Sequence, residues 1–213
     1  MTLARFLPVV LVPALMVGCS GGTSRAVPQG TENPDVAASA PLPGVTLPPG
    51  GLRDQVLLPE EVPAGMVPIL KGSGPRTASV VAGYSGTGAT AAAAEARLTA
   101  HKFVSAYVGQ YANLSTGQVI SVLASQFADA RSAAADFTDD IKTPQGKTVP
   151  HETIGEQSAV TIQDMPGTPK AQLVLVRFRR ATMTWSLAYK ANAPADATLP
   201  ITLAGTLLGR TAT

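Results

Sequence analysis

Residues 171–190 (AQLVLVRFRRATMTWSLAYK) hold two alternating runs around a tight reversal. Val174, Val176, Phe178, Met183, Trp185, Leu187 and Tyr189 fall on one side of this unit. Arg177 and Arg179 fall on the other, with Thr182, Thr184 and Ser186. A period of two marks a strand with one buried face, and a short reversal between such strands forces antiparallel pairing. A second unit of this kind joins Val104–Tyr111 to Val119–Phe127 through Asn113-Leu114-Ser115-Thr116-Gly117, a hairpin signal.

Read the same way, the rest of the chain predicts strands near 66–71, 77–84, 103–112, 118–128, 158–165, 171–179 and 182–190. Helices are expected near 90–101, 129–142 and 199–208. In the second, Ala130, Ala134, Phe137 and Ile141 share a face, and Asp136, Asp139 and Asp140 are expected to face water. In the third, Thr198 is the expected cap and Gly209 the expected stop. The fold class is therefore α+β: an antiparallel sheet of about six to seven strands with about three helices packed on it. Hydrophobic residues make up 45% of the chain, enough for a sizeable core.

The start of the chain is different. Phe6–Val17 is an apolar run of 12 residues behind Arg5. A membrane-spanning helix needs about 20 such residues, whereas a signal-peptide core needs fewer. From Ser20 to Asp54 there are six prolines, six glycines and no aromatic residue. Such composition buries too little apolar surface to offset the entropy of ordering. The expected organisation is a signal peptide over 1–18, a Pro/Gly-rich tether over 19–56 and a single α+β domain over 57–213.

The chain has one cysteine, Cys19, so no internal disulfide or cysteine-rich zinc site is available. Leu15-Met16-Val17-Gly18-Cys19 resembles the lipobox of bacterial lipoproteins, with Met16 where that family usually has leucine. The resemblance implies a diacylglycerol on the Cys19 thiol and cleavage just before it. It further implies residence on the extracytoplasmic face of the cell membrane. The order of elements in the domain is also similar to PsbP-like envelope lipoproteins of actinobacteria, as an architecture without a shared motif.

Motifs for chemistry fail on their spacing. Gly86-x-Gly88-x-x-Ala91 imitates a dinucleotide fingerprint, but 104–116 hold no acidic residue for the ribose. His151-Glu152 opens like a zincin motif, but Gly155 stands where the second histidine belongs. Ser85 follows Gly83-Tyr84 without the second glycine of a nucleophile elbow, and S-x-x-K is absent. The expectation is no catalytic residue, no metal and no cofactor. The balance of 16 basic and 14 acidic residues lacks the excess of a nucleic-acid binder.

One cluster stands apart: Arg177, Arg179 and Arg180, set among hydroxyl side chains, form a candidate patch for a phosphate or carboxylate. The plainer reading is a solvated sheet face. The expected function is a membrane-anchored, non-enzymatic binding or accessory module of the cell envelope. Its partners would be the membrane, through the lipid, and an envelope protein or an anionic lipid or polymer. The alternatives are an envelope enzyme with an unrecognised site and a lipid carrier with an apolar cavity. The sequence sets no oligomeric state.

Overall fold

The computed structural model describes residues 51–85, 88–142, 146–165 and 171–210. The strands are β1 (Val67–Pro68), β2 (Gly74–Arg76), β3 (Phe103–Ala112), β4 (Val119–Phe127), β5 (Lys147–Thr148), β6 (Gln157–Asp164), β7 (Ala171–Arg180) and β8 (Met183–Asn192). The helices are α1 (Ala78–Gly83), α2 (Ala89–Ala100), α3 (Ala130–Ile141) and α4 (Thr198–Arg210). All eight strands join one sheet in the order β1-β3-β4-β8-β7-β6-β5, with β2 also on the outer edge of β3. The strand pairings are antiparallel, giving the α+β class expected from the sequence.

The β7–β8 hairpin sits in the middle of this sheet, in the register that alternation requires. Phe178 pairs with Trp185, and Arg177 with Ser186. Phe178 and Trp185 stack with ring centroids 5.1 Å apart and planes 5° from parallel. They belong to the main core with Ile120, Val122, Val160, Val176 and Leu187, which α4 closes with Leu203, Ala204 and Leu207. A smaller core lies on the opposite face, where Val81, Ala82, Leu98 and Ala133 of the other helices meet Ala106 and Phe127. The sheet is thus covered on both faces.

The chain enters the domain earlier than the expected start at Leu57. A 3-10 turn at Leu52–Gln55 leads into Val56 and Leu57, both buried. Three side chains hold three successive carbonyls here. Trp185 Nε1 donates to Gln55 O at 2.9 Å, Arg210 Nη2 to Val56 O at 2.7 Å and Tyr111 Oη to Leu57 O at 2.7 Å. Gly109 makes the close approach possible, since a Cβ there would stand 2.9 Å from a Val56 methyl.

Residues 77–84 are a helix and not the strand expected from their apolar run. Ala78, Val81 and Ala82 recur at helical spacing and pack in the smaller core, while Val80 is exposed. Helix α3 is turned from the expected orientation. Ser132, Ala133, Asp136 and Phe137 are buried, and Ala130 faces solvent. Helix α4 is capped by Asp196, whose Oδ1 accepts from Thr198 N at 2.8 Å, and it runs past Gly209 to Arg210.

Truncating Trp185 to Ala removes the stacking partner of Phe178 and the donor for Gln55. The expected loss is about 3–5 kcal/mol in denaturant unfolding followed by circular dichroism. A loss below about 1 kcal/mol would contradict the central place of this residue.

Candidate functional site

The arginine face of the β7–β8 hairpin lies beneath α3. Arg177 is 8% exposed, which corrects the expectation that it points into solvent. A guanidinium removed from water needs a charged partner, and α3 supplies one. Arg177 Nε lies 3.1 Å from Asp140 Oδ2, and Arg177 Nη1 donates to the Asp140 carbonyl at 3.4 Å. Arg179 points the same way, is half-buried, and pairs with Glu156 while its Nε donates to Gln157 Oε1 at 2.6 Å. The Glu156 carboxylate also accepts from Ala181 N at 2.9 Å. Ala181, with φ at 49°, is the first residue of the β7–β8 turn. Arg180 is half-buried at the end of β7. Arg177 and Arg179 therefore meet carboxylates of this chain, and the cluster works as an internal tie between β7, α3 and the segment before β6.

The pairing extends to α2. Arg97 and His101 stand four residues apart on α2, opposite Asp136, Asp139 and Asp140 of α3. His101 Nε2 lies 2.9 Å from Asp139 Oδ2, and Lys142 also pairs with Asp139. Arg97 reaches Asp140 at 3.5 Å and stands 3.1 Å from Asp136 Oδ1. In that last contact Arg97 Nε and Asp136 Oδ1 are close in space, but neither makes a hydrogen bond.

Asp136 is 7% exposed and not in water as its helical spacing implied. Burial pushes its carboxyl up to about 6; the Arg97 guanidinium pulls the other way, and the neighbouring Asp140 and Asp139 add to the rise. Asp129 shows the opposite case at the start of α3. Its Oδ1 accepts from Ser132 N at 2.7 Å, and this backbone bond, with Lys102 nearby, lowers its carboxyl to about 2.

A second polar group staples the loop before β6. His151 Nδ1 lies 3.0 Å from Val149 O, which assigns its proton to that nitrogen. His151 Nε2 then accepts from Ser158 Oγ at 2.9 Å, and the same oxygen accepts from Ile154 N at 2.9 Å. With both roles of the hydroxyl occupied by the loop, this pair positions backbone.

Among the described residues no group of three His, Cys, Asp or Glu is disposed to hold a metal ion. Gly88 begins α2 with φ at 58°, while Gly86 and Cys19 lie outside the described residues. What the sequence reading missed is the acidic side of the arginine cluster. The signal was the dense acidic set Asp136, Asp139 and Asp140 on one helix, of which Asp140 meets Arg177.

No family model and no curated protein matches the chain. Among solved structures, the extracellular domain of PknH from Mycobacterium tuberculosis is similar. It superposes with a TM-score of 0.55 at 11% identity, over 76% of this chain and 94% of that one. At this identity the likeness establishes a shared fold.

Two outcomes test the site. Asp136 has a folded value near 6 against an ordinary 3.8, so its contribution to stability is largest in acid. That contribution is lost as pH rises from about 4 to about 6. Asp136→Asn abolishes this titration. Relative to the parent, the variant should gain about 2 kcal/mol in unfolding free energy between pH 4.5 and pH 7. An unchanged difference across that range would contradict the buried carboxyl. Separately, Arg177→Gln should cost about 2 kcal/mol, less than a fully buried pair because Asp140 stays partly solvated. Arg179→Gln should cost under about 1 kcal/mol by the same unfolding measurement.

Proposed function

We propose that this chain is an exported lipoprotein whose α+β domain acts as a non-enzymatic binding or accessory module on the extracytoplasmic face of the membrane. The observation that carries the reading is the apolar run ending at Leu15-Met16-Val17-Gly18-Cys19, followed at once by a Pro/Gly-rich segment. An acylated cysteine turns a lone thiol into a permanent anchor, since each buried methylene contributes about 0.8 kcal/mol and the lipobox family carries more than one chain.

Two structural findings bear on an extracytoplasmic location for the domain. No helix of the described residues is long and apolar enough to cross a membrane. The fold is also that of a domain which, in another protein, is extracellular. The accessory role is supported by the internal pairing of Arg177 and Arg179 and by a hydroxyl and histidine whose bonding is used within a loop. Arg177 ties α3 to the sheet, and Arg179 ties β7 to the segment before β6.

Mass spectrometry of the mature N-terminal peptide should find acylation on Cys19, and Cys19→Ser should release the protein from the membrane fraction. A mature chain that begins elsewhere, with an unmodified thiol, would overturn the reading.

A further inference from the structure

The strongest unexplained surface is the outer edge of β3. Its first cover is β1, where Val67 pairs with Ala112 and Pro68 with Tyr111. Ile69 N then donates to Gln110 O at 2.9 Å, which brings Leu70 and Lys71 to the same edge. Two residues beyond Ala112, the β3–β4 turn carries Leu114. Leu70 is 79% exposed, Leu114 76% and Val67 45%, three of the four large hydrophobic side chains with such exposure among the described residues. They lie around the corner of the sheet where β1 meets the end of β3.

The segments that carry these side chains hold no acidic residue. Residues 62–94 contain Lys71 and Arg76 and no acidic residue, and residues 103–128 contain no charged residue at all. Exposed leucines with Lys71 next to Leu70 suit the boundary between anionic headgroups and acyl chains. The chain also arrives from this side. The turn at Leu52–Gln55 packs against β3, the strand that carries β1 on its outer flank. Only residues 20–50 separate it from Cys19. So short a segment keeps the domain close to a membrane that holds Cys19.

We propose that Val67, Leu70, Lys71 and Leu114 form a membrane-contact strip that seats the domain on the surface of an anionic bilayer. This deepens the anchoring reading, which supplies the membrane, and assigns the domain a preferred face toward it. Leu70 and Leu114 enter the headgroup–acyl boundary, and Lys71 meets lipid phosphates. A second copy of this chain is the competing occupant of the same strip, and the experiment separates the two.

The full chain is held on vesicles of phosphatidylglycerol and phosphatidylcholine through a polyhistidine tag placed before residue 19, on nickel-chelating lipid, so that the test does not depend on acylation. Tryptophan is introduced singly at Leu70, at Leu114 and, as a control, at exposed Arg131 beyond the far end of β4. The buried Trp185 gives a constant background, and circular dichroism confirms that each variant is folded. Lipids brominated in the acyl chain should quench tryptophan at 70 and 114 several-fold more than at 131. The preference should fall in uncharged vesicles and with Lys71→Gln. Equal quenching at the three positions, or none, would overturn the proposal. So would shielding of residue 114 that depends on protein concentration without vesicles, which would make a second copy the occupant. An unmodified Cys19 thiol in the native protein would defeat the anchoring reading alone and leave the vesicle result standing.

Discussion

Three consecutive carbonyls, those of Gln55, Val56 and Leu57, are gripped by Trp185, Arg210 and Tyr111. The donors come from β8, α4 and β3, elements far apart in sequence. A short entering segment therefore ties the middle of the sheet to one edge strand and to the last helix. The Trp185 ring lies flat on Phe178, so the donor's position is fixed by the packing of the central hairpin. Arg210 is held in turn by Glu61 at 3.1 Å. Backbone groups buried without partners are costly, and here they are satisfied by side chains that the core has already placed. The main core and the entry of the chain are one construction.

The opposite face is built on charge. Only Leu98 of α2 is buried, and the helix is largely alanine, so apolar contact holds it weakly. Arg97 and His101 supply what is missing by meeting the acids of α3, and Arg177 joins α3 to the sheet from below. The arrangement places an incompletely bonded carboxyl, Asp136, at its centre. Its raised value shows that the nearby guanidinium does not cancel the cost of leaving water. A hydrophobic residue at that position would pack more cheaply, but it would not fix how α2 lies on α3.

Alternation made the long strands legible. Residues 103–112, 171–179 and 182–190 match β3, β7 and β8 to within a few residues because each has one mostly apolar face. The faces of the hairpin were also assigned correctly, as the Phe178–Trp185 pair shows. What alternation cannot say is whether the polar face is covered. Arg177 looked solvated because its acid partner is 37 residues away in sequence, on a helix whose orientation depends on that same ion pair. The stretch 77–84 failed for a different reason: a short apolar run fits either period, and tertiary contact with α2 decided for helix. The strand expected near 66–71 is cut to Val67–Pro68, and β2 and β5, three and two residues long, were too short to carry a period. The exposed leucines of the β3 edge were visible as residues but had no neighbours until β1 was paired.

Those same short strands finish the sheet. On one flank stand Val67–Pro68 and Gly74–Arg76, with prolines at 68 and 75; on the other stands the two-residue β5. A proline offers no N–H, and two residues cannot template a ladder. A long bare strand edge would make each collision between two copies a chance to zip together. Flanks this brief and interrupted deny a neighbouring copy the ladder it would need to extend the sheet.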